Sequence, residues 1–526
     1  MAKYELMAHQ KKGVKFLKKK DGIAALLWEP GVGKTGATLA YIDHLADTQG
    51  EVRVLIVAPL TAADTWVLQP PMFMDSPTKA RMLQGSTASI LEKITVAGDW
   101  TKVPDAPIGT NHSGTVEKAL AGNKVTIISI SAGAVSNWCQ ERARTVKMLR
   151  AIRKYKPHLI VVDESHIIKS ATANISTAMY QIGQLAPRRI ILTGTVAPHS
   201  PLDVYGQWRF LAPWTFSDAY KSPFTKKPLS MTREETATIR PWPWGRFRGR
   251  YAITGGYEGK QIVDFVNRKD LNNRVAKRSM VVLKKDALDL PPERDIDIHV
   301  TLTPAERKAY EEMKEDLAAE LADGSLLEAP NVLAKIMKLR QITAGFVKDT
   351  ATGETHRFGR SKEKAVKEVV TTQLIGENRL VVFAYFKSEC AALAEALSKG
   401  PEAKGVTVEV ITGATKAKDR LAIRKRFLDV SGNPERMILV AQARTMSISV
   451  NELITAQHAI YASMSERRDD WVQSRGRLHR QGQKGSRVTY WNVFVPDSID
   501  QIMLDKHKDR GDLEKALLDH IRGTTQ

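Results

Sequence analysis

Three clusters of residues in this chain could act on a phosphate. The first is Gly31-Val32-Gly33-Lys34-Thr35, which follows the apolar run IAALL and opens a helical pattern. Glycines let backbone N–H groups wrap a phosphate, and the N-terminus of the following helix adds positive potential. Lys34 would reach the β- and γ-phosphates of a nucleotide, and the Thr35 hydroxyl would hold a magnesium ion. The full GxxxxGK[ST] form is not met, because Trp28 stands where its first glycine belongs and Pro30 precedes Gly31. The second cluster is Asp163-Glu164-Ser165-His166, where the apolar run LIVVD ends. An acid at the end of a buried strand is how a nucleotide site holds its metal. Asp163 would bind Mg2+ through water, and Glu164 would polarise an attacking water. An isolated Asp-Glu pair is more often a charged turn; the phosphate loop upstream favours the catalytic reading. The third cluster is QSRGRLHRQGQ at 473–483. Arg477 and Arg480, three apart on a helical turn, would share a face and could stabilise charge on a transferring phosphoryl group. Alone, such a run is a solvated basic face or a nucleic-acid patch.

These clusters need strands to hold them. Apolar runs stand at 23–27, 52–58, 125–130, 159–163 and 189–193, and again at 380–386, 406–411, 437–441, 459–462 and 487–495. Unbroken apolar strands separated by amphipathic segments indicate parallel sheets covered on both faces. Two successive sets predict two α/β lobes rather than one large sheet. Between them, 213–255 is rich in Pro, Trp, Lys and Arg, and 304–341 has a helical pattern. The expected organisation is therefore lobe one at 1–212, a mostly helical insertion at 213–345 and lobe two at 346–526. A loop-rich insertion is expected in the first lobe at 82–121.

The chain has 526 residues, 79 Lys plus Arg against 58 Asp plus Glu, and a formal net charge of +21. That imbalance favours a polyanionic partner, because each phosphate neutralised releases condensed counterions. Two cysteines exclude a Cys-rich zinc site and a disulfide framework. The twelve histidines show no HExxH spacing, so no structural metal is expected. The first residues carry no apolar signal region, and no run of about 18 apolar residues occurs. The expectation is an intracellular protein without a membrane span, cytoplasmic in a bacterial or viral setting, with the nucleus the alternative.

Taken in order, GVGKT, DESH, Leu192-Thr193-Gly194-Thr195 and QSRGRLHRQGQ resemble motifs I, II, III and VI of the superfamily-two helicase-like ATPases, and the Swi/Snf branch best. DESHIIKS is similar to that branch's motif II with its basic tail, and IVAPLTAADTW at 56–66 to motif Ia. LKKDALDLPPERDIDIHVTLTPAERKAY, LRQITAGF and VTYWNVFVPDSIDQIM are also similar to it. RGRYAITGGYEG at 248–259 resembles the annealing-type members more weakly. Carried over, the resemblance makes Gln10 the glutamine that reads adenine, Gln473 the leading glutamine of motif VI, and Arg477 with Arg480 the arginine fingers. His166, Thr193 and Thr195 would couple hydrolysis to movement. Motif V departs from the family, with SISVNELITA at 447–456 lacking the usual glycines.

The resemblance implies two tandem RecA-like lobes, ATP and Mg2+ as cofactors, and duplex or branched DNA held chiefly by its phosphates. The function it implies is that of a DNA-dependent ATPase, a translocase expected to be monomeric, with accessory specificity either absent or supplied by a protein partner. The alternatives are a strand-separating or fork-remodelling helicase and, from a different class, a non-catalytic DNA-binding subunit. A small-molecule kinase would leave the second lobe unexplained. Residues 457–472 already supply a strand and a helix lead, which leaves no room for a strand-splitting hairpin before motif VI. PWPWGRFRGRY at 241–251 is suited equally to base stacking and to packing on a lobe. The lysines of KKGVKFLKKKD should form a solvated helix face.

Overall fold

The computed structural model describes residues 4–508 apart from 61, 64, 84–89, 91–93, 95–123, 198–199, 219–238, 256–260, 323–328, 349–351, 353, 375, 400–402, 432–434 and 447–451. The chain forms two compact units that divide between Ala287 and Leu288.

In the first unit, β1 (Ile23–Trp28), β2 (Val52–Ala58), β3 (Thr78–Leu83), β4 (Val125–Ser131), β5 (Leu159–Asp163) and β6 (Arg188–Thr193) belong to one sheet. A separate antiparallel hairpin, β7 (Ala252–Gly255) and β8 (Gln261–Phe265), precedes β9 (Ser279–Val282). The sheet order is β3-β4-β2-β5-β6-β1-β9, with every pairing parallel. Strands β1, β2, β4 and β5 are buried along nearly their whole length, as apolar strands covered on both faces must be. Parallel pairing brings all their C-terminal ends to one edge, so the residues after β1, β5 and β6 meet there.

In the second unit, β10 (Glu293–His299), β13 (Arg379–Ala384), β14 (Val406–Ile411), β15 (Arg436–Gln442), β16 (His458–Tyr461) and β17 (Val488–Phe494) form a second parallel sheet. Its order is β10-β17-β16-β13-β15-β14. A small antiparallel pair, β11 (Phe346–Lys348) and β12 (Thr355–Arg357), stands apart from it. The expected pair of parallel-sheet α/β lobes is present, and all ten apolar runs are strands within a residue or two of the expected bounds.

Residues 213–345, expected as a helical insertion, divide between the two units. β9 adds the edge strand beside β1, and β10 pairs with β17. The helices Pro304–Ala322 and Ala329–Thr343 follow, with Tyr310, Leu339 and Ile342 in the core of the second unit. The division follows from where each short segment finds a sheet edge. Beyond Leu83, the expected insertion at 82–121 lies outside the described residues apart from Ile90 and Ile94, both buried in the first core. Within PWPWGRFRGRY, the helix Trp244–Tyr251 turns Phe247 and Tyr251 into that core, and Trp242 is buried with them. Those aromatics pack the lobe, and Trp244 is half-buried against Phe247. Lys11, Lys12, Lys15, Lys18 and Lys19 are exposed on the helix Ala8–Lys19, as a solvated face should be. Of motif V, 447–451 lie outside the described residues, whereas Leu453 and Ala456 are buried. No helix among the described residues is long and apolar enough to cross a membrane.

Candidate nucleotide-binding site

The first sheet delivers β1 into a tight loop in which Gly31 (φ 88°) and Gly33 (φ 85°) are both left-handed. Gly33 caps the helix Lys34–Gln49, so the loop's backbone turns directly into a helix N-terminus. Only glycine adopts that conformation at low cost, which is why the chain spends two here. A Cβ at Gly33 would also overlap Gln10 Nε2, so the Gln10 amide would have to move aside. Gln10 is itself buried, donating from Nε2 to Gly33 O at 3.0 Å and accepting from Met7 N at 2.9 Å. His9 Nε2 donates to Val32 O at 2.8 Å. The helix that carries Gln10 thus grips the loop twice.

The departures from the usual phosphate-loop sequence have local reasons. Trp28 is fully buried, edge-on to His9 and so close beneath Gly13 that a Cβ there would stand 2.6 Å from its ring. It fills the space between the loop and the first helix. Pro30 lies against Gly194 of LTGT, where a Cβ would come within 2.6 Å of Pro30 Cδ. Glu29 accepts from Lys284 N at 2.5 Å and donates its own N–H to Val282 O at 3.1 Å, stitching the loop to β9 and the turn after it. Lys34 Nζ donates to Trp28 O at 2.8 Å, which holds the ammonium over the loop.

Asp163 ends β5 and is buried. Trp66 Nε1 donates to one carboxylate oxygen at 3.0 Å and the Glu164 N–H to the other at 3.0 Å, so the group is fixed in orientation. Burial pushes its carboxyl up to about 6, the charge of Glu164 adds to the rise, and the Trp66 N–H and the Lys34 ammonium oppose it. Glu164 stands at φ 49°, an uncommon conformation for a residue with a side chain. Its carboxylate lies 3.4 Å from His166 Nδ1, and that nitrogen lies 3.4 Å from Thr195 Oγ1. Thr195 N donates to Thr193 Oγ1 at 3.0 Å, and Thr193 Oγ1 donates to Thr195 O at 2.8 Å, which fixes the LTGT turn. Ser165 Oγ donates to Gln207 Oε1 at 2.7 Å, and Gln207 Nε2 donates to Val196 O at 2.7 Å. Gln207 therefore ties the DESH turn to the segment after LTGT.

Gln10, Gly31, Gly33, Lys34, Thr35, Asp163, Glu164, His166, Thr193 and Thr195 accordingly gather around one edge of the first sheet. Trp66, Gln207 and Glu29 belong with them and were missed. Trp66 ends a recognisable segment, but nothing in its spelling says that it bonds to an acid 97 residues away.

Gln473, Arg477 and Arg480 lie in the second unit. The helix Arg468–Leu478 ends with His479 as its cap, so Arg477 is in the last turn and Arg480 lies beyond it. The expected shared helical face is corrected accordingly. His479 Nε2 donates to Pro291 O at 2.8 Å, and Gly482 at φ 97° turns the chain away. Arg475 makes a bidentate pair with Asp295 at 2.7 and 2.8 Å and lies over the rings of Tyr490 and Trp471 at 3.8 and 4.6 Å.

A family model of the SNF2-related domain matches residues 9–345, most of the chain and the whole of the first unit's site. The chain belongs to that family. An uncharacterized ATP-dependent helicase of Mycoplasma genitalium is 21% identical over 526 residues, covering 98% of this chain and 42% of that protein. The mouse DNA annealing helicase and endonuclease ZRANB3 is 23% identical over 500 residues, covering 95% of this chain and 39% of its own length. The SNF2-related chain thus spans about two fifths of these relatives. A structure of the Sulfolobus solfataricus SWI2/SNF2 ATPase core in complex with double-stranded DNA matches with a TM-score of 0.38 at 15% identity, covering 98% of this chain and 94% of that one.

The contact between Pro30 and Gly194 makes a direct test of the loop's support. Gly194→Ala should destabilise the first unit by about 1–3 kcal/mol, the usual cost of forcing a methyl into a packed contact. Pro30→Ala should recover most of that loss in the double variant, read as melting temperatures by circular dichroism.

Proposed function

We propose that this SNF2-related chain is a DNA-dependent ATPase that moves along duplex or branched DNA. The observation that carries the reading is the pairing of the Gly33–Lys34 loop with the buried, doubly donated Asp163 and the adjacent Glu164 at one sheet edge. The likeness to helicases and the +21 charge support it. Lys34 would neutralise the β/γ-phosphates. Glu164 would polarise the attacking water, and its left-handed backbone would hold the carboxylate clear of Asp163. Gln10 would read adenine from its place against the loop, and Gln473 would serve the same nucleotide. Arg477 and Arg480 would stabilise charge on the transferring phosphoryl group. The contacts from Glu164 through His166 to Thr195 are the route proposed for coupling hydrolysis to movement.

The donor set suits a magnesium ion carried in with ATP. Mg2+ prefers one or two protein oxygens with waters and phosphates completing its shell; Thr35 would supply such an oxygen, and Asp163 would hold the ion through one of those waters. Magnesium would supply charge neutralisation between the β- and γ-phosphates. DNA contact through phosphates would be largely independent of sequence.

Three measurements test the reading. ATP hydrolysis by the full chain should be stimulated by duplex or forked DNA and lost in Lys34→Ala. Glu164→Gln should keep nucleotide affinity and turn over at least about a hundredfold more slowly, the scale of losing a general base. Near-normal turnover in either variant refutes the assignment.

The second measurement follows from the raised Asp163 carboxyl. Below pH of about 6 it takes up a proton and loses the charge that would hold the ion, whereas above that pH it is ionised. Mg2+-nucleotide affinity should therefore fall as pH is lowered from 8 to 5, more steeply in the wild type than in Asp163→Asn. Calorimetric titration of both across that range compares them and subtracts the protonation of the nucleotide itself.

The third separates movement from unwinding. ATP-driven displacement of a triplex-forming strand, with little separation of a simple tailed duplex, is the expected result. Robust unwinding of the tailed duplex would favour the helicase alternative.

A further inference from the structure

The turn that carries Arg480 is gripped by a segment far away in sequence, and the grip is specific. The helix Arg468–Leu478 points its C-terminus at the start of β10. Three residues there act in order along the strand. Pro291 O accepts from His479 Nε2 at 2.8 Å. Because a carbonyl can only accept, this nitrogen of His479 carries a proton, and the ring is set by it. Glu293 places Oε2 3.2 Å from the other ring nitrogen and Oε1 3.8 Å from Arg475 Nη2. Asp295 takes the Arg475 fork at 2.7 and 2.8 Å and accepts from Asn492 at 3.2 Å. The far side of the turn is closed by Gln483, whose Nε2 donates to Ala456 O at 2.9 Å and Leu478 O at 3.1 Å.

His479 donates from one ring nitrogen to Pro291 O and sets the other 3.2 Å from the Glu293 carboxylate, on a residue whose backbone ends the helix and immediately precedes Arg480. Its side chain is buried, and none of its contacts is to a group the proposed chemistry uses. The second contact, from a carboxylate that also reaches Arg475, ties the end of the helix and the turn to one strand.

We infer that His479 and Glu293 are positioning residues for Arg480, fixing where the chain leaves the helix and so where that guanidinium is presented. The inference rests on the reading of Arg480 as a group that stabilises transition-state charge. An arginine acting on a transition state gains its effect from placement within a fraction of an ångström. Loosening the turn should therefore lower kcat and leave ground-state nucleotide binding unchanged.

The test uses the full chain with saturating duplex DNA. ATP turnover, KM, affinity for a fluorescent ATP analogue and melting temperature are measured for His479→Ala, His479→Gln, Glu293→Gln, Arg480→Ala and the double variant His479→Ala/Arg480→Ala. His479→Ala and Glu293→Gln should lose about tenfold or more in kcat, with analogue affinity within about twofold of wild type. His479→Gln, whose amide can still donate to Pro291 O, should recover much of the loss. The double variant should be no slower than Arg480→Ala, because a residue acting only through Arg480 has nothing left to position. A kcat for His479→Ala near the wild-type value overturns the inference. So does a further multiplicative loss in the double variant, or a fall in analogue affinity and melting temperature that accounts for the lost turnover. An inactive wild type refutes the ATPase reading itself and the inference with it; full activity in Arg480→Ala refutes only the arginine's role and what rests on it.

Discussion

The backbone of Gly33 is the constraint around which the candidate site is built. It must be left-handed for β1 to turn at once into a helix, a conformation that disfavours any Cβ, and Gln10 Nε2 lies close on the side where a Cβ would stand. From this one residue the N-terminal N–H groups of the helix come to face the sheet edge where Asp163 and Glu164 end β5. Trp28 beneath Gly13, His9 on Val32 O and Glu29 on Lys284 N all brace the same few residues from different sides. A loop that must hold several partial charges toward one point needs such bracing, since its own backbone hydrogen bonds are given up to the phosphate it would bind.

Much of this was legible in the sequence, for a physical reason. Strands buried on both faces must be apolar along their length, so β1, β2, β4, β5 and β6 announce themselves, as do the central strands of the second sheet. The edges did not. β3 (TKARML) is half-buried along most of its length, β9 has four residues, and β10 (ERDIDIH) is acidic and largely exposed. Edge strands carry polar side chains toward water and so lack the apolar run by which a strand is recognised. Missing β9 and β10 is what put the middle segment outside both lobes. The site divides in the same way. Lys34, Asp163 and Glu164 follow from a strand, a turn and a helix read locally, whereas Trp66 and Gln207 act through contacts 97 and 42 residues distant.

The arginine run shows why composition alone misassigns roles. Arg475, Arg477 and Arg480 look interchangeable in sequence, but Arg475 is sandwiched by Trp471 and Tyr490 and locked to Asp295. Its charge is matched within the unit, and the carboxylate and the ring of Tyr490 hold its guanidinium firmly protonated against the cost of burial. It serves the fold. Its partners come from β10, β17 and its own helix, and the spelling of the run does not show them.

The bond between Glu29 and the backbone at Lys284 spans 255 residues of chain. During synthesis the loop and β1 emerge first, yet β9 and the turn that receives Glu29 follow only after roughly 13–50 s of elongation at about 5–20 residues per second. Until then β1 has an open edge and the loop lacks one of its braces. A nascent or truncated chain ending before Ser279 would carry every recognisable motif of the first unit and still present an unfinished sheet. The candidate site is in this sense translated well before the strand that completes its sheet.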